Sequence, residues 1–221
     1  MSTGLLAILC GAFLGLLLYA ESSENDRLRY LFKPLASACF IAVAVLGGAL
    51  DAAPAYGRLI VIGLMFGAAG DVLLMLRGQR CFLSGLVAFL AGHLCYVAAF
   101  TRVAPLSSWA TPYALLPLIA AAASVLWLWR HLGRMRLPVL VYVAVIASMM
   151  IGAIAVLEAG DGRWMMDGGQ ALKLFAGASF FFASDLAVAR QRFIAPSFAN
   201  QLWGLPAYYL GQMLLALSAI R

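Results

Sequence analysis

The chain has 221 residues, 65% of them hydrophobic and only 11% charged, with a mean hydropathy of +0.97. That balance excludes a soluble core wrapped in charge and defines a polytopic membrane protein. The net charge of +6 gives no sign of nucleic-acid binding, because the basic residues fall in short stretches between apolar runs, where they report orientation in a membrane.

A spanning helix needs about 20 apolar residues. Eight such stretches follow one another at 3–20, 34–51, 58–76, 82–100, 111–129, 137–157, 170–189 and 203–220. The expected fold is all-α, a bundle of eight transmembrane helices forming a single domain over 1–221. The runs are too long, and too uniformly apolar, for barrel strands. In the first stretch Leu18-Tyr19-Ala20 resembles a signal cleavage site, but a basic leader is missing and the long apolar run reads as a helix. Pro34 and Pro138 are expected in the first turns of the second and sixth helices, where a missing N–H does no harm. Pro105, Pro112 and Pro196 mark loops or helix starts. The segment 158–169 reads as a polar outer loop with Trp164 at the interface. Pro206, early in the eighth helix, opens a local gap in hydrogen bonding. Cys10, Cys39, Cys81 and Cys95 form no CxxC pair and read as small apolar filler.

Charge sets the expected topology. The first, third, fifth and seventh loops hold ten basic residues: Arg27, Arg29, Lys33, Arg77, Arg80, Arg130, Arg134, Arg136, Arg190 and Arg192. The even loops hold three: Arg58, Arg102 and Arg163. The positive-inside rule puts the odd loops in the cytoplasm and both termini on the non-cytoplasmic side. In a bacterium the membrane would be the inner one.

Two aspartates lie within these apolar runs, Asp71 in the third helix and Asp185 in the seventh. An intramembrane carboxylate costs roughly 2.5–3.5 kcal/mol on insertion scales, so it is rare and usually functional. Ala69-Gly70-Asp71 followed by Arg77 and Arg80 parallels Ala183-Ser184-Asp185 followed by Arg190 and Arg192. The likeness suggests two parallel four-helix halves with equivalent third and seventh helices. At about 1.5 Å per residue, both aspartates lie roughly 8–9 Å inside the basic ends. Tyr142 lies at similar depth, Tyr208, Tyr209 and Gln212 deeper, and His93 near the midplane. Glu21 and Lys33 sit at the inner mouth. The intramembrane polar groups therefore point to one cavity opening on the cytoplasmic side. Gly63, Gly67 and Asp71 share a face at i, i+4 and i+8, a small-residue seam that lets helices approach closely. Phe89 and His93, with Tyr96 one turn on, share a face of the fourth helix; Phe181, Ser184 and Asp185 share one of the seventh.

The order Lys33-Pro34, Gly70-Asp71, Gly85-xxx-Phe89-xxx-His93-xx-Tyr96, Gly177-Ala178 through Phe182-xx-Asp185, and Tyr208-Tyr209-xx-Gln212 resembles the YhhN-like family of eight-helix membrane proteins. Its animal members are lysoplasmalogenases. The resemblance implies hydrolysis of the vinyl-ether bond of lysoplasmalogens, with a lysophospholipid as substrate, the bilayer as surroundings and no cofactor. That chemistry suits two carboxylates, one protonated acid and one anion that stabilises an oxocarbenium ion or activates water, as in glycosidases. Asp71 and Asp185 are the expected pair, in either order, with His93 orienting or relaying a proton. Lys33 is a partner for the substrate phosphate. Tyr96, Tyr142, Ser184, Tyr208, Tyr209 and Gln212 are expected to bind substrate, glycerol or water.

Each residue also has a structural reading. The aspartates can pair with Lys33 or cap serines, His93 can be a packing histidine, and Tyr96 and Tyr142 can serve interhelical hydrogen bonding. Lys173 snorkels outward, and His131 belongs to a basic loop. Rival functions are a metal-dependent lipid hydrolase using Asp71, His93 and Asp185, a proton-coupled transporter, and a scaffold without chemistry. Chelator sensitivity, inverted repeats or a silent Asp71→Asn substitution would distinguish them.

Overall fold

The computed structural model describes residues 2–159 and 166–220. The expected outer-loop residues Arg163 and Trp164, and the terminal Arg221, lie outside them. Among the described residues the chain is helical: α1 (Thr3–Ser22), α2 (Asp26–Leu46), the single turn α3 (Ala49–Ala52), α4 (Pro54–Met75), α5 (Gln79–Phe100), α6 (Leu115–Leu128), α7 (Arg136–Glu158), α8 (Gly168–Ala189) and α9 (Phe198–Ser218). Leaving α3 aside, these match the eight expected stretches in order. Among the described residues six helices are long and apolar enough to cross a membrane. Of the other two, α6 is shorter and α9 carries Asn200, Gln201 and Gln212 among its apolar residues. Large apolar side chains such as Ile8, Leu126 and Leu137 face outward, as in a bundle solvated by lipid. The protein is an integral, multi-pass membrane protein.

The second helix departs most from expectation. It runs Asp26–Leu46 rather than 34–51, so Pro34 lies inside the helix and not in its first turn. Asn25 starts it, its side chain accepting from the Leu28 amide at 3.2 Å. The charged first turns escaped an apolar-run reading. The far end stops at Gly47 and Gly48, the latter at φ +85°, a left-handed conformation that glycine adopts without strain. The eighth stretch likewise starts earlier, at Phe198, capped by Ser197. Pro138, by contrast, occupies the first turn of α7.

Six helices close a ring. Going round, α2 packs on α4, α4 on α5, α5 on α7, α7 on α8, α8 on α9, and α9 back on α2. Outside it, α1 lies against α2 and α9, and α6 against α7. Glycines set the closest approaches, because a backbone without Cβ admits a facing side chain. In α4, Gly63 faces the Tyr96 ring, Gly67 faces Gln212 and Tyr208, and Gly70 faces Phe89. In the α8–α9 pair, Gly177 and Gly211 pack on each other's backbones and Gly204 on Ala187. The small-residue seam of α4 thus makes room for the large polar and aromatic groups of α5 and α9.

Candidate active site

A cavity of about 910 Å³ opens into the ring, within the roughly 300–1,000 Å³ usual for small-molecule sites. Its mouth lies where α1, α4 and α8 end and α2, α5 and α9 begin, among Glu21, Glu24, Asp26, Arg29, Arg77 and Arg192. This is the end that carries the basic loops. Deeper, it is lined by Lys33, Asp71, Tyr142, Ser184, Asp185 and Tyr208. An apolar flank of Leu86, Leu128, Val139, Val143, Ile146 and Phe182 runs towards α6 and α7.

Asp71 is four residues from the last residue of α4, and Asp185 four from the last residue of α8. Their surroundings differ. Asp71 is 2% exposed. Lys33, two turns into α2, places its Nζ 3.4 Å from one oxygen of Asp71. Ser37, one turn further along α2, donates to the other oxygen at 2.7 Å. Tyr209 stands 3.3 Å from the Ser37 hydroxyl and donates to the Lys33 carbonyl at 3.1 Å. Both oxygens of Asp71 therefore face polar hydrogens, the Lys33 ammonium on one and the Ser37 hydroxyl on the other.

Asp185 has a different shell. Tyr142 of α7 donates to its Oδ1 at 2.9 Å. The Nε2 atom of His93 faces its Oδ2 at 3.4 Å. His93 is fully buried, between the rings of Phe181 at 4.3 Å and Tyr142 at 5.4 Å. Its Nδ1 lies 2.7 Å from the Phe89 carbonyl one turn back in α5. A carbonyl can only accept, so Nδ1 carries a hydrogen. Among the described residues the buried atoms His93 Nε2 and Asp185 Oδ2 have no hydrogen-bond partner, their 3.4 Å contact included.

A third chain of polar groups crosses the ring. Tyr96 donates to Gln212 at 2.7 Å, and the Gln212 amide donates to Tyr208 at 3.2 Å. Tyr208 lines the cavity with its hydroxyl beside Asp71. Tyr96 and Gln212 are fully buried behind it. Ser184 turns back on its own helix and donates to the Phe181 carbonyl. At the mouth, Arg29 pairs with Asp26 and Glu21, and Arg77 with Asp26. Beyond α8 the chain makes one π-helical turn, Arg190–Ile194, a form that recurs at functional sites. Asn200 holds it through Arg190, Gln191 and Ala195. The turn carries Phe193 onto Phe82 and sets the Arg192 guanidinium 4.5 Å above the same ring.

The structure thus brings Asp71, Asp185, Tyr142, Tyr208 and Lys33 to one cavity. It sets His93 behind Asp185, Tyr209 behind Asp71, and Tyr96 and Gln212 behind Tyr208. The reading from sequence missed Ser37, although Lys33 and Ser37 lie at i and i+4 on one helical face. It also missed the Phe89 carbonyl that orients His93, which residue identity does not reveal. Among the described residues no three of His, Cys, Asp or Glu gather closely enough to hold a metal ion.

A ring of apolar helices around a cavity lined by two carboxylates marks a class of integral membrane proteins with a polar site inside the bundle. Residues 28–219 match the YhhN family, and the chain belongs to that family. It is 37% identical over 180 residues to human "Lysoplasmalogenase TMEM86A", covering 78% of this chain and 69% of that protein. The bovine protein of the same name is 33% identical over 162 residues, covering 73% and 65%. "Lysoplasmalogenase" of Mycobacterium tuberculosis is 31% identical over 161 residues, covering 69% and 55%. The alignments thus span about two thirds or less of the lengths of these relatives. No solved structure matches the chain at a significant level.

Proposed function

We propose that this protein is a lysoplasmalogenase-type hydrolase that cleaves the vinyl-ether bond of lysoplasmalogens. The products are a fatty aldehyde and glycerophosphocholine or glycerophosphoethanolamine. The observation that carries the reading is the pair of aspartates lining one intramembrane cavity, one against a lysine and the other against a histidine and a tyrosine. The names of the relatives point to the same chemistry.

The reaction asks for what the cavity offers. A proton adds to the alkenyl carbon remote from oxygen, and the ether oxygen supplies the electron pair that makes an oxocarbenium ion. Water adds to the adjacent carbon, and the hemiacetal collapses to aldehyde and alcohol. One carboxyl group supplies the proton, and one carboxylate stabilises the cation, as in glycoside cleavage. The apolar flank beside α6 and α7 takes the alkenyl chain. The phosphate sits at the mouth, with Arg192 the cation best placed, since Arg29 and Arg77 are already paired and Lys33 faces Asp71. The mouth opens to the cytoplasm by the positive-inside rule, and residues 1–221 act as one transmembrane domain.

The test is aldehyde release from a lysoplasmalogen by the purified protein in detergent, beside Asp71→Asn and Asp185→Asn, with and without EDTA. Turnover by the wild type alone, unchanged by chelator, is expected. A folded wild type that releases no aldehyde would refute the assignment, and loss of activity with EDTA restored by zinc would replace the two-carboxylate mechanism with a metal-dependent one.

A further inference from the structure

We propose that Asp185 is the acid, that its proton rests on Oδ2 against His93 Nε2 and reaches the alkenyl carbon when the carboxyl group turns that oxygen into the cavity it lines, and that Asp71 stays ionised throughout. The inference rests on the hydrolase reading above and assigns the roles that reading leaves open.

The geometry calls for one proton between Asp185 and His93. Because His93 Nδ1–H is spent on the Phe89 carbonyl, a neutral ring turns the bare lone pair of Nε2 towards Asp185. Asp185 Oδ1 is already an acceptor from Tyr142. With no proton between Oδ2 and Nε2, two buried acceptors would face each other at 3.4 Å with nothing to bind. With two protons, two hydrogens would collide. A single proton satisfies both atoms, and keeping it on Asp185 avoids burying an imidazolium and a carboxylate together. Asp71 is placed differently: one oxygen faces the Lys33 ammonium and the other the Ser37 hydroxyl, whose single hydrogen also has the Lys33 carbonyl within reach.

Asp185 lines the cavity and His93 does not. Asp185 is therefore the catalytic residue and His93 a positioning residue acting through it. The Asp185 O–H bond breaks as the alkenyl C–H bond forms, and the electrons of the double bond move to that carbon. The oxocarbenium ion then lies between two carboxylates. Water adds to it, and the proton that water loses restores the Asp185–His93 pair. The hemiacetal hydroxyl proton passes to the departing glycerol oxygen. One water is consumed and no net proton.

The experiment is infrared difference spectroscopy on the purified full chain, carrying ¹³C-carboxyl aspartate in an ester-free detergent, with aldehyde release and thermal unfolding measured on the same samples. A protonated-carboxyl band is expected in the wild type, absent in Asp185→Asn and retained in Asp71→Asn. In His93→Phe the band moves to higher wavenumber as its hydrogen bond is lost, and turnover falls by about 10²-fold, the lower end of the range for positioned acid–base groups. His93→Gln, whose amide oxygen can accept the proton, moves the band back and restores part of the turnover. A wild type without the band, a band lost in Asp71→Asn but kept in Asp185→Asn, or His93→Phe turning over at the wild-type rate would each overturn the proposal. A wild type that shows the band and releases no aldehyde overturns the hydrolase reading and the delivery step with it, while the place of the proton stands.

Discussion

Removing Lys33 tests whether Asp71 is a charge held in place by its neighbours. At the 3.4 Å separation of Lys33 Nζ and Asp71, two unit charges attract by about 5 kcal/mol at an effective dielectric constant of about 20, before desolvation is counted. Lys33→Met keeps the aliphatic stem and deletes the charge. Asp71 must then remain an unpaired buried anion or take up a proton. Breaking such a pair from one side costs about 3–5 kcal/mol. For a protein of this size that lowers the unfolding midpoint by roughly 6–20 °C, at about 2–4 °C per kcal/mol. Turnover falls by about 10²–10³-fold, the usual loss when one fixed electrostatic group is removed from a site. The double variant Lys33→Met with Asp71→Asn recovers most of the lost stability, because no orphan charge remains, and recovers no activity. Thermal unfolding in detergent and aldehyde release on all four proteins complete the cycle. If Lys33→Met is as stable as the wild type, or if the two single losses simply add, the charges are not coupled and the assignment of Asp71 as an ionised group fails.

Three further substitutions probe the remaining shells. Tyr142→Phe removes the one donor to Asp185 Oδ1, worth about 1 kcal/mol for a single hydrogen bond; kcat should drop about fivefold with KM unchanged, and an unchanged kcat would take Tyr142 out of the site. In Gly67→Ala the new methyl meets Gln212 and the Tyr208 hydroxyl, so overpacking should cost about 1–3 kcal/mol of stability, seen in the unfolding midpoint. A neutral Gly67→Ala would mean that the α4–α9 seam is looser than described. Arg192→Ala removes a cation at the mouth that rests on Phe82; KM for the phosphate-bearing lipid should rise about tenfold, about 1.4 kcal/mol, at unchanged kcat, and an effect confined to kcat would refute its role in binding.

The class of fold was legible in composition and apolar run length, because a bilayer demands both in every spanning helix. Element boundaries were less legible where polar turns prolong a helix, as at Asp26–Lys33 and Phe198–Asn200. There the capping residues Asn25 and Ser197, not hydropathy, decide the start. Asp71, Asp185, Lys33 and Tyr142 could be picked out because polar groups at membrane depth are costly and so conspicuous. Which of them meet was not legible. The pairing of Lys33 with Asp71 depends on α2 packing against α4, and that of His93 and Tyr142 with Asp185 on α5 and α8 both flanking α7. Helix order is a property of the whole bundle, and no local spacing encodes it.

The two aspartates show how a bundle can give like residues unlike tasks. They sit at matching distances from the ends of α4 and α8, each helix packed tightly on the one that follows it, α5 or α9. Nothing in the two carboxyl groups themselves separates an acid from an anion. The difference comes from what the neighbouring helices present: a lysine and a serine from α2 on one side, an acceptor nitrogen from α5 on the other. Where a carboxyl oxygen is buried, as in Asp71 and at Asp185 Oδ2, these few groups decide where a proton rests. An exchange of surroundings should therefore exchange roles. Replacing His93 by a donor such as lysine would turn Asp185 towards the state of Asp71, and aldehyde release should be lost with both carboxyl groups still in place. Retained turnover in a folded His93→Lys protein would show that the surroundings do not set the roles.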